Sequence, residues 1–191
     1  MRKIFVLLAG LFISQPLLAD WRVDAESSRV SFIATKDARQ TDVGRFYGLL
    51  GGVDAAGSVR VKIELDSLRS GSMVQDQRLR KELMETSRYA FAEVSSAVVL
   101  PRILNLAPGA QMELQLPATL SLHGVKKSLD MELMVTRLDQ HRFQIVTLTP
   151  VEIDLTDFGL ATALETLRSS VGLSTISLSV PVSAVLIFSE R

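Results

Sequence analysis

The strongest constraint on this chain is a set of unusually long segments in which apolar residues occupy every second position. Such alternation turns one face of a β-strand toward an apolar interior and leaves the other face polar. Four segments show this pattern, at residues 112–122, 129–135, 143–153 and 176–188. At about 3.3 Å per residue, strands of this kind extend roughly 25 to 40 Å. They predict a tall barrel or strongly curled sheet whose aliphatic interior is either filled by side chains or open to an apolar ligand.

The first 19 residues have the layout of a secretory signal peptide. Arg2 and Lys3 form a basic start, an apolar run follows over 4–13, and the small residue Ala19 precedes Asp20. The apolar run is shorter than the ~20 residues of a membrane-spanning helix. Cleavage after Ala19 is therefore favoured over retention as a membrane anchor. Residues 20–191 would then form one mature domain without a membrane span, and the short bacterial-type signal indicates export to the periplasm.

The amino-acid composition argues against several classes of function. The chain carries 21 basic and 21 acidic residues, without a basic stripe or an interleaving of aromatic and basic residues. Nucleic acid is therefore not expected as a partner. Cysteine is absent, which excludes disulfides, a thiol nucleophile and lipid attachment through a cysteine at the cleavage site.

The remaining segments predict further strands and one or two short helices. Shorter strands are expected at 21–24 and 29–34, interrupted by a turn, at the glycine-rich segment 44–52, and at 59–65. The order of these elements lacks a βαβ rhythm, which favours an antiparallel arrangement. The sequence therefore predicts a mainly β fold, an extended antiparallel barrel with the helices inserted between strands.

Two helices are expected from capping and from apolar spacing. Ser72 followed by Gln75 forms a capping box at the start of a charged helix over 72–86. Leu160, Leu164 and Leu167 share one helical face and predict a second helix over 160–171. The next segment, with Tyr89, Phe91, Val94 and residues 98–100, is expected to lead back into a strand that Pro101 limits.

Candidate catalytic groups are sparse. Asp154 and Asp157 would suit acid–base chemistry at the right separation, but the simpler interpretation is that Asp157 caps the following turn. His123 and His141 are expected to be solvent-facing turn residues, and two histidines alone do not make an ordinary metal site. The serines lack the Gly-x-Ser-x-Gly setting of a hydrolase. We therefore expect no enzymatic activity, no catalytic or metal site and no cofactor.

Five short motifs occur in a characteristic order along the chain. They are Trp21-x-Val-Asp24 with Ser28-x-Val-x-Phe32; Gly44-x-Phe46 with Gly51; Leu83-Met-Glu-Thr-Ser-Arg-Tyr89; Leu120-x-Leu122-x-Gly124-Val125-x-Lys127; and Asp157-Phe158-Gly159. Together they resemble the YceI-like periplasmic proteins from residue 21 to about residue 188. The chain departs from that family at Ala90 and Ser128, where prolines are usual, and at Leu155, where an arginine is frequent.

The resemblance implies an extended lipocalin-like barrel in the periplasm that holds a long isoprenoid or similar lipid chain. It implies a binding protein for storage or transport of a polyisoprenoid or acyl lipid. Strand parity supplies nine candidates for the lining of the barrel, each with ordinary core packing as the alternative: Phe32, Phe46, Ile63, Phe91, Leu122, Leu133, Phe143, Phe158 and Ile176.

A second hypothesis is a non-enzymatic envelope interaction protein whose barrel is filled by side chains. Such a protein would act through its outer surface, with Arg78, Arg80 and Lys81 of the charged helix contacting a partner. A homodimer formed through strand edges is compatible with either hypothesis.

Overall fold

The computed structural model of this protein describes residues 21–37 and 40–190. The predicted signal peptide, residues 1–19, lies outside the described residues. The described chain folds into one 12-stranded sheet. Its strands are β1 (Trp21–Val23), β2 (Arg29–Lys36), β3 (Gln40–Phe46), β4 (Leu49–Val53), β5 (Ser58–Glu64), β6 (Leu68–Arg69), β7 (Phe91–Ala97), β8 (Gln111–Leu122), β9 (Val125–Arg137), β10 (Arg142–Thr147), β11 (Val151–Asp154) and β12 (Ser179–Glu190).

Eight of these strands close into a barrel. The antiparallel pairs run from β12 to β1, β4, β5, β7, β8, β9 and β10, and then back to β12. Because each strand pairs on both sides, the ring leaves no free edge along these segments. The prediction of a mainly β antiparallel barrel with short helices is confirmed.

The last strand, β12, pairs with four others along its length. Its end pairs with β1 and its middle with β2, which confirms the prediction of one strand interrupted by a turn. On its other edge it pairs with β10 and β11, so the alternating segment 143–153 forms two strands rather than one. Strands β3 and β6 continue the wall beyond β2.

Glycines in β4 allow neighbouring backbones to approach closely. A Cβ on Gly52 would lie 1.9 Å from the carbonyl oxygen of Trp21. On Gly51, which has a φ of +111°, a Cβ would lie 2.0 Å from the carbonyl oxygen of Arg60. Only glycine fits at such positions without moving the strands apart. The prediction of a bent, glycine-rich strand is consistent with this packing.

The helices are α1 (Met73–Arg78), α2 (Leu100–Leu104) and α3 (Ala161–Ser170). Helix α1 continues as a π-helical segment, Leu79–Leu83, and this continuous stretch corresponds to the predicted helix over 72–86. Ser72 Oγ accepts a hydrogen bond from the Gln75 backbone N–H at 3.4 Å. The Gln75 side chain bonds to Asp42 instead of reaching back to Ser72, so only half of the predicted capping box forms. Helix α3 corresponds to the second predicted helix.

The predicted strand does not continue to Pro101. Strand β7 ends at Ala97, and helix α2 begins at Leu100. Pro101 stands in the first turn of this helix, where its missing N–H leaves no hydrogen bond unmade. Leu100 and Ile103 are buried and pack on the barrel end that contains Trp21. No helix in the described ranges, including these three, has the length and apolar character needed to cross a membrane.

Candidate ligand-binding site

A cavity of about 220 Å³, the inner chamber, lies inside the barrel. Alternate side chains of the strands line it, including Val61 and Ile63 on β5 and Ala184 and Leu186 on β12. Of the described residues in this lining, only Thr147 and Ser183 are polar. The Thr147 hydroxyl already accepts a hydrogen bond from the Ala184 N–H at 3.2 Å. Such a lining favours an apolar chain through burial.

One end of the barrel is closed by a buried aromatic pair. The ring centroids of Trp21 and Phe143 are 4.1 Å apart. The guanidinium of Arg137 lies 5.4 Å from the Trp21 ring and 5.1 Å from the Phe143 ring. Leu100 and Ile103 of α2 pack on the same cluster. A chain in the inner chamber cannot leave through this end without displacing these side chains.

A larger cavity of about 540 Å³, the outer chamber, lies at the opposite end, between α1, α3 and β2. Its volume alone falls within the ~300–1,000 Å³ typical of ligand pockets. Phe46, Met84, Leu122 and Ile153 line both chambers. The two chambers are therefore adjacent, and together they form a path from the helical end of the barrel to its closed end.

The outer chamber differs from the inner one in its polar lining. Three cations, Lys36, Arg78 and Arg168, contribute to its wall, together with Ser72, Gln75 and Ser177. None of the described residues that line it is an aspartate or a glutamate. This lining can accommodate an apolar chain and, at one side, a polar or anionic group.

Contacts among these polar residues tie the helices to the barrel. Lys36 Nζ pairs with Asp42 and lies 3.3 Å from Gln75 Oε1 on α1. The ion pair with Lys36 holds the pKa of Asp42 below its ordinary value. On α3, the Arg168 Nε donates to Glu165 Oε2 at 2.8 Å, and this contact lowers the pKa of Glu165. Arg78 Nη1 donates to Ser170 Oγ at 3.3 Å, which joins α1 to α3.

Seven of the nine residues predicted to line the barrel contribute to these two chambers. Ile63, Leu133 and Phe143 line the inner chamber, Phe32 and Ile176 line the outer chamber, and Phe46 and Leu122 line both. Phe158 is buried in the core beneath α3 but lines neither chamber. Contact with a ligand stays a prediction for each of the seven.

The position predicted for Phe91 is corrected. Its side chain is 40% exposed, and Lys62 Nζ lies 5.7 Å from its ring centroid on the outer face of the barrel. The next residue, Ala92, is buried and lines the inner chamber with Val94. Because successive side chains of a strand point to opposite faces, the parity of Ala92 and Val94 places Phe91 outside.

The spacing of residues along β2 and α3 could have predicted that two of the three cations, Lys36 and Arg168, face the cavity. Lys36 follows Phe32 and Ala34 at every second position of β2, on the face that lines the outer chamber. Arg168 lies four residues after Leu164 and three before Val171, within the apolar stripe of α3. A cation at an inward-facing position at the end of an element therefore marks the mouth of the cavity. Sequence reasoning assigned only Arg78 a role, and placed it on an external docking surface.

Other titratable groups are engaged in structural contacts. Asp154, rather than Asp157, caps the turn Leu155–Phe158, because Asp154 Oδ1 accepts from the Thr156 N–H at 2.8 Å. Asp157 pairs with Lys127 at 3.0 Å. His141 Nδ1 lies 2.7 Å from Glu190 Oε2. Within residues 21–37 and 40–190, no group of three or more such side chains could hold a metal ion.

The expected exposure of His123 is also corrected. Only 17% of its side chain is exposed, and its Nε2 lies 2.8 Å from Glu85 Oε2. The Tyr89 ring packs on the imidazole with centroids 4.1 Å apart. His123 therefore connects the β8–β9 turn to the segment that follows the π-helical stretch Leu79–Leu83.

The closed ring of eight antiparallel strands and the apolar inner chamber define a β-barrel with an internal cavity. Comparison with family models gives the narrower assignment: the YceI-like domain matches residues 21–188. The chain belongs to the YceI-like family. Among curated proteins, no sequence match was found.

Solved structures show the same fold. A polyisoprenoid binding domain from Saccharophagus degradans, implicated in plant cell wall breakdown, is 35% identical, with a TM-score of 0.87 over 90% of this chain and 98% of that domain. BcnA from Burkholderia cenocepacia is 16% identical, with a TM-score of 0.66 over 86% of this chain and 98% of that protein. The second comparison supports the fold alone.

Proposed function

We propose that this protein binds one long apolar ligand, a polyisoprenoid or a similar acyl lipid, along the axis of the barrel for storage or transport. The observation that carries the proposal is the inner chamber, whose described lining is apolar except for Thr147 and Ser183. Burial of an apolar chain there stabilises a complex by about 25 cal/mol per Å² of apolar surface. The similarity to the Saccharophagus degradans polyisoprenoid binding domain supports an isoprenoid ligand.

The proposed location is the periplasm, after cleavage of the predicted signal peptide. The basic start, the apolar run and Ala19 support export. The proposal includes no enzymatic step, because the described residues that line the chambers contribute apolar side chains, hydroxyls, an amide and three cations.

The alternative, a filled barrel acting through its charged helix, has less support. Arg80 contacts Asp66 and Asp76 at 3.9 Å and donates to the carbonyl of Leu68. Arg78 lines the outer chamber. Of the three cations expected to form an external docking surface, only Lys81 is exposed.

The test is native mass spectrometry of the mature protein purified from its own periplasm, followed by organic extraction. A stoichiometric additional mass that extracts as a prenyl or acyl lipid is expected. A bare mass that stays unchanged after incubation with isoprenoid and acyl lipids would favour the filled-barrel alternative.

A cavity-filling variant adds a structural control. Ala92→Leu with Ala184→Leu enlarges two side chains of the inner chamber, and Ala97→Leu with Val185→Leu enlarges two exposed side chains on the same strands. Lipid uptake should fall in the first double variant and persist in the second. Circular dichroism and the Tm of both variants establish that the barrel still folds. Unchanged uptake by a folded, filled barrel would contradict the proposal.

A further inference from the structure

The two chambers differ sharply in charge. No titratable residue is found among the described residues that line the inner chamber. The outer chamber has Lys36, Arg78 and Arg168 in its wall, and none of the carboxylates described in the chain lines it. A ligand that fills both chambers would therefore meet an apolar environment along its chain and cations only at its outer end.

Two of the three cations are already balanced by neighbouring carboxylates. Lys36 forms an ion pair with Asp42, and Gln75 Nε2 donates to the same Asp42 oxygen at 3.3 Å. Arg168 pairs with Glu165 and also donates to the carbonyls of Leu173 and Ser174. These two side chains have structural partners that a ligand would have to displace.

Arg78 is different because its described partner is neutral. Its Nη1 donates to the Ser170 hydroxyl at 3.3 Å, and no carboxylate of the described chain lies within ion-pair distance of its guanidinium. The side chain is half-buried in the chamber wall. A guanidinium has five N–H donors in a planar fork that matches the oxygens of a phosphate or carboxylate. Most of this donor capacity is not used by the Ser170 contact.

We infer that the outer chamber is a head-group site for amphiphiles whose apolar chain ends in an oxyanion, a phosphate or a carboxylate, and that Arg78 is the side chain that binds this group. The inference rests on the proposed function, because the chain must enter the inner chamber for its end to reach Arg78. It adds a ligand preference: anionic amphiphiles bind more tightly than neutral amphiphiles with the same apolar chain.

The experiment compares ligands that differ only in the head. Affinities of the full mature protein, freed of lipid, are measured for geranylgeranyl monophosphate against geranylgeraniol, and for palmitate against methyl palmitate. A charge-assisted hydrogen bond corresponds to a preference of roughly 10- to 100-fold for the anionic member of each pair. If only the prenyl pair shows tighter binding of its anionic member, the site is specific for a phosphate head group. If the acyl pair shows it as well, the site binds oxyanions generally.

Three variants locate the preference. Arg78→Gln removes the charge and should bring the affinity ratio close to one, and its circular dichroism spectrum and Tm establish that the variant is folded. Arg78→Lys keeps the charge without the planar fork and should give an intermediate ratio. Lys81→Gln removes an exposed charge from the same helical segment, outside both chambers, and should keep the wild-type ratio.

The outcomes separate this inference from the proposed function. Equal affinity of the wild type for the anionic and neutral members of both pairs would overturn the head-group site and leave the barrel ligand intact. A preference that persists in Arg78→Gln would overturn the assignment to Arg78. If the wild type binds none of the four amphiphiles, the proposed function fails and the inference fails with it.

Discussion

His123 and Glu85 contact each other across the end of the barrel, and both have left-handed backbones. The distance from His123 Nε2 to Glu85 Oε2 is 2.8 Å, and the φ angles are +50° and +46°. Non-glycine residues rarely adopt this conformation, because the Cβ approaches the following carbonyl oxygen. The contact joins the β8–β9 turn to the chain that leaves the π-helical segment Leu79–Leu83. The contact therefore holds α1 and the π-helical segment, which line the outer chamber, against the barrel.

The strain and the contact at His123 can be separated by substitution. We expect His123→Ala to lower the free energy of unfolding by about 2 kcal/mol, since it loses a hydrogen bond and keeps the left-handed strain. His123→Gly loses the same contact but relieves the strain, so it should be about 1 kcal/mol more stable than His123→Ala. Denaturant unfolding of the three proteins measures both differences. Equal stability of the two variants would show that the backbone conformation carries no strain.

A second prediction concerns the close backbone approach at Gly52. Gly52→Ala would place a Cβ 1.9 Å from the carbonyl oxygen of Trp21, so β1 and β4 must separate. We expect a loss of at least ~3 kcal/mol of stability, the size of a disrupted core contact. Thermal and denaturant unfolding give the measurement.

Gly71 supplies the matched control for Gly52. It has a φ of +91°, and a Cβ there would meet no atom within 4 Å. Gly71→Ala should therefore lose only about 1 kcal/mol through backbone strain. If the two variants lost equal stability, the close approach of β1 to β4 would not be the reason that glycine occupies position 52.

The third prediction is a pH dependence at Asp42. Its ion pair with Lys36 holds its pKa below the ordinary value of 3.8. A lowered native pKa contributes stability above the unfolded pKa, and this contribution is lost as the pH falls through the native pKa. Because the Asp42 side chain is 38% exposed, solvent screening limits the contribution to about 0.5 kcal/mol.

Asp42→Asn should accordingly be less stable than the wild type at pH 7 by this amount, and the difference should vanish at strongly acidic pH. Unfolding curves at a series of pH values between neutral and strongly acid test the expectation. Asp130→Asn, a matched change at an exposed position of β9, serves as the control substitution. A difference for Asp42→Asn that grew as the pH fell would contradict the assigned sign.

Much of the barrel is predictable because the pattern that defines each long strand or helix lies within that segment of the sequence. The alternation in β8, β9 and β12 follows directly from one face packing inward, and the stripe of Leu164 and Leu167 defines α3 in the same way. Helix α2 escapes such reasoning, since five residues with two buried positions, Leu100 and Ile103, are too few to show a helical period.

The site is less predictable because it is assembled from distant segments. Lys36, Arg78 and Arg168 come from β2, α1 and α3, and only the tertiary fold brings them to one chamber. The parity predicted for Phe91 was wrong. The pairing of Ile63 with Ala92 sets the register of β7 and turns Ala92 and Val94 inward. A one-residue change of parity transfers a side chain to the opposite face of the sheet.

The last prediction separates packing from charge at the closed end. Arg137 is buried with 8% exposure, stacks on Trp21 and Phe143, and has one buried nitrogen, Nη1, without a hydrogen-bond partner. Arg137→Met keeps an unbranched stem over the rings and removes the unsatisfied donor, so we expect a change within ~1 kcal/mol. Arg137→Ala removes the stem and should lose about 2–3 kcal/mol. Denaturant unfolding of both variants makes the comparison, and equal losses would indicate that the charge over the two rings, rather than the packing of its stem, stabilises this end of the barrel.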